Sequence, residues 1–241
     1  MYRGSRKHLL DWVERPDFTD RLSRLLQPTG AIVGSTDLWM PKGHGDDTEA
    51  RLEQFAPRVL PTVDWHILQD WWLVAKRGAN TPHWDLASTC TTRGQRGLVL
   101  VEAKAHTEEL KTEGKKIEPG ASDNARKNHE RIGSAIDQAS GALAKAVQGV
   151  NISRDTHYQL ANRVAFSWKV ASLGVPVVLL YLGFLGDETM SDIGEPFADD
   201  GHWQQAMRTY LADRIPEGFL GRRIDCGQAH MQMIIRSFPV G

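Results

Sequence analysis

The chain has 241 residues, 41% of them hydrophobic and 24% charged, an ordinary composition for a globular protein and enough chain for one large core. Its 29 basic and 30 acidic side chains leave a net charge of −1, which argues against a surface that grips nucleic acid everywhere but leaves room for a local basic groove. No apolar run reaches membrane-spanning length and the N-terminus lacks a charged-then-apolar leader, so no membrane partner and a cytoplasmic compartment are expected. Cys90 and Cys226 then read as reduced thiols, because two cysteines cannot build a disulfide framework or a zinc ribbon.

In chain order, residues 5–27 read as helix in two pieces broken at Pro16, with Leu9, Leu10, Val13, Leu22, Leu25 and Leu26 as the apolar positions. Residues 30–45 are loop-like. Asp46 or Asp47 caps a short helix through Phe55, and a further helix covers 63–75. The run Trp84-Asp-Leu-Ala-Ser-Thr-Cys-Thr-Thr reads as a short strand and Arg93-Gly-Gln-Arg-Gly as a turn. Leu98-Val-Leu-Val-Glu-Ala-Lys-Ala-His106 is a strong second strand of a hairpin. Residues 107–127 form a charged stretch with Lys111, Lys115 and Lys116, read as a mobile loop. Two amphipathic helices follow, at 128–148 (Ile132, Ile136, Ala139, Leu143, Val147) and 156–173 (Leu160, Val164, Trp168, Ala171). The apolar run 175–185 needs cover on both faces and is placed as an interior strand beside that of Glu102, with both helices packed over the sheet. A helix from Trp203 to Ala212 and a strand from Ala229 to Phe238 complete the chain. This order predicts an α/β protein with a mixed central sheet flanked by helices.

The hairpin carries the chemistry. Side chains alternate along a strand, so Glu102 and Lys104 share a face, and the hairpin brings Asp85 near Glu102. Two carboxylates and an amine converging in an apolar sheet are expensive to bury unless a cation or a reaction compensates them. Paired carboxylates supply hard oxygen ligands for Mg²⁺, and a neighbouring lysine can stabilise a phosphate or serve the attacking water. The plain alternative is an ion pair on a solvated strand face, worth little. The continuous apolar run Leu98–Val101 speaks against it.

At these residues the chain resembles the PD-(D/E)XK nuclease superfamily. Asp85 matches the first acidic residue and Glu102-Ala103-Lys104 the (D/E)XK element; Trp84 stands where a proline is usual, with Pro82 two residues earlier. The resemblance implies a restriction-endonuclease-like core over about residues 46–185, within a single domain of 1–241 that has an N-terminal helical and a C-terminal helix-strand extension. It implies Mg²⁺, with Mn²⁺ as the alternative ion, bound by Asp85, Glu102 and the Ala103 carbonyl, and Lys104 at the water or transition state. The partner implied is DNA, and a homodimer is compatible with the family. Gln159 matches a Gln-containing motif on the helix after the (D/E)XK strand, and Arg163 shares its face four residues on, placed to hold phosphate. The superfamily also carries a glutamate on its first core helix, for which Glu53 and Glu49 are the available matches; Glu53 is taken as a metal ligand.

His106 extends the Glu102–Lys104 face by one alternation and is a candidate phosphate contact. His44, His66 and His83 lack zinc-site spacing. Trp65, Trp71, Trp72, Trp84 and Trp168 are read as core before they are read as base-stacking platforms. Two other functions stay open: a non-catalytic nucleic-acid-binding or interaction module on the same fold, and hydrolysis of another phosphoester, RNA included.

Overall fold

The computed structural model describes residues 2–60 and 63–240. Helices α1 (Gly4–Val13) and α2 (Phe18–Leu26) are the two pieces expected around Pro16, and Leu9, Leu10, Val13, Leu22 and Leu26 are buried. Strands β1 (Ala31–Ile32) and β2 (Trp39–Met40) lie within the segment expected to be loop. Next come β3 (Ala50–Arg51), α3 (Leu52–Val59), α4 (His66–Trp72), β4 (His83–Trp84), β5 (Leu86–Thr92) and β6 (Gln95–Lys104). The remainder is α5 (Asp123–Ala146), α6 (Tyr158–Ser172), β7 (Val177–Leu185), α7 (Asp200–Leu211), β8 (Ile224–Asp225) and β9 (His230–Pro239).

The main sheet runs β1-β5-β6-β7-β9-β8, with β2 also on β5. The β5–β6 hairpin is antiparallel, while β6–β7 and β7–β9 are parallel, so the sheet is mixed. Alternation along β6 sends Leu98 and Leu100 into the core under α3–α7, and Val99, Val101 and Ala103 into a second core under α1 and α2. Strand β7 lies between β6 and β9 with Val178 3% and Leu180 0% exposed, as its unbroken apolar run requires. Gly183 on β7 makes room for α7: a Cβ there would come within 2.4 Å of the Trp203 indole.

Four expectations need correction. The helix assigned to 46–55 begins only at Leu52, because Ala50 and Arg51 are drawn into antiparallel pairing with Trp84 and His83. Helix α5 begins at Asp123 rather than at 128, its start set by the Ser122 side chain, which accepts from the Ala125 amide. The stretch before it is tied down, not mobile. The Lys115 amide donates to the Arg154 carbonyl (2.8 Å), His157 to Thr112 (2.7 Å) and Tyr158 to Glu113 (3.0 Å). Of the two long helices only α6 lies along the sheet, against β7 and β9; α5 packs on α6 and α4 and meets the sheet at the β8 edge.

Candidate active site

Leu86 pairs with Val101, so Asp85, at the bend between β4 and β5, stands level with Glu102. The Ala103 amide donates to Asp85 Oδ2 at 2.7 Å. Because a strand residue turns its N–H and C=O toward the same neighbour, the Ala103 carbonyl faces the Asp85 side as well. Glu102 and Lys104 project together from the last turn of the β6 pleat and are 1% and 4% exposed. Lys104 Nζ lies 2.5 Å from Glu102 Oε1 and donates to Gln159 Oε1 at 2.9 Å. The other oxygen of Glu102 is taken by Arg163 Nε at 2.5 Å. Arg163 also donates to Asn162 Oδ1 (2.8 Å) and lies 4.8 Å over the Trp84 ring. Gln159 and Arg163, four residues apart on α6, thus close over the acidic strand from one helical row.

A cleft of about 500 Å³ opens beside this cluster, with Glu49, His83, Asp85, Lys111, Gln159 and Arg163 in its lining, while Glu102 and Lys104 lie buried beneath that lining. One wall is the strap at 111–114, held in an isolated β-bridge between Glu113 and Thr156. Gly114 is obligatory there, since a Cβ would lie 2.1 Å from the Asp155 carbonyl oxygen.

The two carboxyls sit in opposite electrostatic conditions. Burial, then the charge of Glu102, pushes Asp85 up to about 7, against the opposing pull of Lys104, Arg163 and the Ala103 bond. Burial would raise Glu102 too, but the Arg163 and Lys104 charges and their hydrogen bonds hold it below its ordinary value. The Asp85 carboxyl is only half-buried by exposed area, so cleft solvent moderates its upward push. Tyr181, register partner of Glu102, is raised well above the usual phenol range by burial, and its hydroxyl has no hydrogen-bond partner among the described residues.

The structure brings Asp85, Glu102, Ala103, Lys104, Gln159 and Arg163 together. Glu53 is not among them. It sits in the first turn of α3, accepts from Thr81 Oγ1 at 2.5 Å, and lines a neighbouring cavity with Arg51 and His66. Glu49 lines the cleft instead, paired with Arg6 at 2.7 Å and His83 at 3.3 Å. His106 is buried and does not line the cleft, because the chain at Gly194–Pro196 crosses over it: His106 bridges Pro196, and a Cβ on Gly194 would touch its Nδ1. Trp65, Trp72, Trp84 and Trp168 are core, and Trp71 is half-buried with its indole N–H bonded to Gln138. The contacts that sequence reasoning missed are Asn162, the Trp84 platform under Arg163, and the strap. The polar pair Asn162-Arg163, set among Leu160, Ala161, Val164 and Ala165, was a signal for the first two.

Among the described residues no group of three or more His, Cys, Asp and Glu side chains is gathered to hold an ion unaided. Mg²⁺ asks for less, using one or two carboxylates with waters and substrate oxygens. Asp85, Glu102 and the Ala103 carbonyl are a hard-oxygen set of that kind, and the burial and neighbouring Glu102 charge that raise Asp85 mark a place that favours added positive charge. Comparison of the chain with protein-family models, curated proteins and solved structures finds no match. No helix among the described residues is long and apolar enough to cross a membrane.

Proposed function

We propose that this protein is a metal-dependent nuclease of the PD-(D/E)XK type, hydrolysing DNA phosphodiester bonds with Mg²⁺ or Mn²⁺. One observation carries the reading: Asp85, Glu102 and Lys104 lie side by side at the end of one buried strand pair, with Gln159 bonded to the lysine. The hairpin followed by helices and a parallel strand is compatible with a restriction-endonuclease-like core. When bound, the ion supplies Lewis acidity and a more acidic water. Asp85, Glu102 and the Ala103 carbonyl hold it. Lys104, fixed between Glu102 and Gln159, presents its ammonium to the attacking water or to the charge growing on the phosphate. Gln159 positions Lys104 and lines the cleft where the substrate would lie. DNA as partner and the cytoplasm as compartment belong to the same reading.

A second reading has its own support. Both oxygens of Glu102 already meet cations of the chain, so the cluster is charge-compensated without a metal, as a non-catalytic nucleic-acid-binding or interaction module would allow. Incubation with plasmid, linear and single-stranded DNA and with RNA, in Mg²⁺ or EDTA, separates the two. Cleavage in Mg²⁺ alone, abolished by Asp85→Ala and Glu102→Ala and lowered about 10²–10⁴-fold by Lys104→Ala with DNA binding retained, is the expected result. Wild-type protein that retains nucleic acid but cuts none of these substrates favours the binding module.

A further inference from the structure

Arg163 is an unusual neighbour for a metal ligand. Its side chain is 9% exposed, its Nε lies 2.5 Å from Glu102 Oε2, and its guanidinium is anchored by Asn162 Oδ1 on one side and the Trp84 ring on the other. Lys104 holds the second oxygen of the same carboxylate, so Glu102 has no oxygen left uncommitted. An arginine on a carboxylate is a planar charge-assisted clamp, and removing either member of such a buried pair strands a charge. Arg163 also lines the cleft of about 500 Å³, so the side chain borders open space toward which it can turn.

Resting on the hydrolytic reading of this cleft, we propose that Arg163 is a built-in competitor for the metal at Glu102. It neutralises the carboxylate while no ion is bound, and leaves it for the cleft when one enters. Released, the same guanidinium faces the space a phosphodiester must occupy. Metal loading and phosphate recognition are thereby linked through one side chain, and a protein without its ion presents a closed, self-neutralised cluster. The coupling is thermodynamic: whatever Arg163 contributes to holding Glu102 without metal is subtracted from the affinity for the ion.

The test measures Mg²⁺ binding directly, by titration calorimetry and by the Mg²⁺ dependence of melting temperature, in wild type, Arg163→Gln and Arg163→Lys. Arg163→Gln should melt lower than wild type in EDTA yet bind Mg²⁺ about ten-fold more tightly, so that added Mg²⁺ raises its melting temperature more. Arg163→Lys, which keeps the charge but loses the fork, should fold where the Gln variant fails and show a smaller gain in affinity. Wild type that binds Mg²⁺ while neither variant binds it more tightly overturns the competition and leaves the nuclease reading standing. Wild type and both variants that bind no Mg²⁺ and cleave nothing overturn that reading, and the competition with it.

Discussion

Asp85 and Glu102 are two carboxyls on adjacent strands, yet one takes up a proton near neutrality and the other is held ionised. The difference lies in their partners. Glu102 has two cations within 2.5 Å, whereas Asp85 has a single amide at 2.7 Å and the Glu102 charge beside it. A pH dependence follows with a definite sign. Burial and the Glu102 charge push the folded Asp85 carboxyl up to about 7, above its ordinary 3.8, so its contribution to stability is complete below about 4 and is lost as pH rises through 7. Asp85→Asn cannot ionise. In EDTA, the melting temperature of wild type relative to Asp85→Asn should fall steadily between about pH 4 and 7, and Mg²⁺ should reverse the trend. Parallel melting curves for the two proteins across that range would show that the Asp85 environment is misjudged. The triad itself was legible in the sequence because alternation along a strand is a rigid rule. Arg163 was legible only as a helix neighbour of Gln159. Its burial follows from α6 having packed residues around nearly its whole circumference, and a 3.6-residue stripe reveals which side is apolar but not what meets the other side.

Among the elements, long ones announced themselves and short ones did not. The β5–β6 hairpin has the continuous apolar run Leu98–Val101 and a two-residue turn at Arg93-Gly94, where both residues take positive φ (50° and 78°), as a tight hairpin demands. β3 and β4 have two residues each, too few for any period, and their pairing is what removes Glu49 from the helix and leaves Glu53 facing another cavity. The start of α5 was hidden by its polar first turn, Asp123 to Arg126, which reads as loop unless the Ser122 cap is noticed. The contact between β7 and α7 offers a sharp test. Gly183 stands in register with Lys104, and its missing side chain is what lets Trp203 lie against the sheet. Gly183→Ala should destabilise the protein by about 1–3 kcal/mol, because the indole meets strand backbone and cannot simply step aside. Denaturant unfolding measures this directly, with a midpoint equal to wild type counting against the packing described. Gly120→Ala, where a Cβ meets nothing within 4 Å, is the control.

At the scale of the whole molecule, a single mixed sheet carries a core on each face, and the charged cluster lies where the thicker helical layer meets the end of β6. Near-zero net charge means that any hold on nucleic acid must come from the cleft and its immediate rim rather than from the surface at large. The parallel pairing of β6 with β7 also sets an order of events in time. Asp85 reaches Glu102 across a tight hairpin, whereas Arg163 lies 61 residues beyond Glu102 across the α5–α6 crossover, and the local contact is expected to close before the distant one. The Arg163 contact, with its long loop to close, is therefore expected to form late in folding and to be lost early in unfolding. Arg163→Gln should accordingly leave the refolding rate nearly unchanged and speed unfolding, a separation that stopped-flow measurements in EDTA resolve limb by limb. The clamp that quiets the acidic pair at rest is then also the latch whose release sets how long the folded molecule lasts.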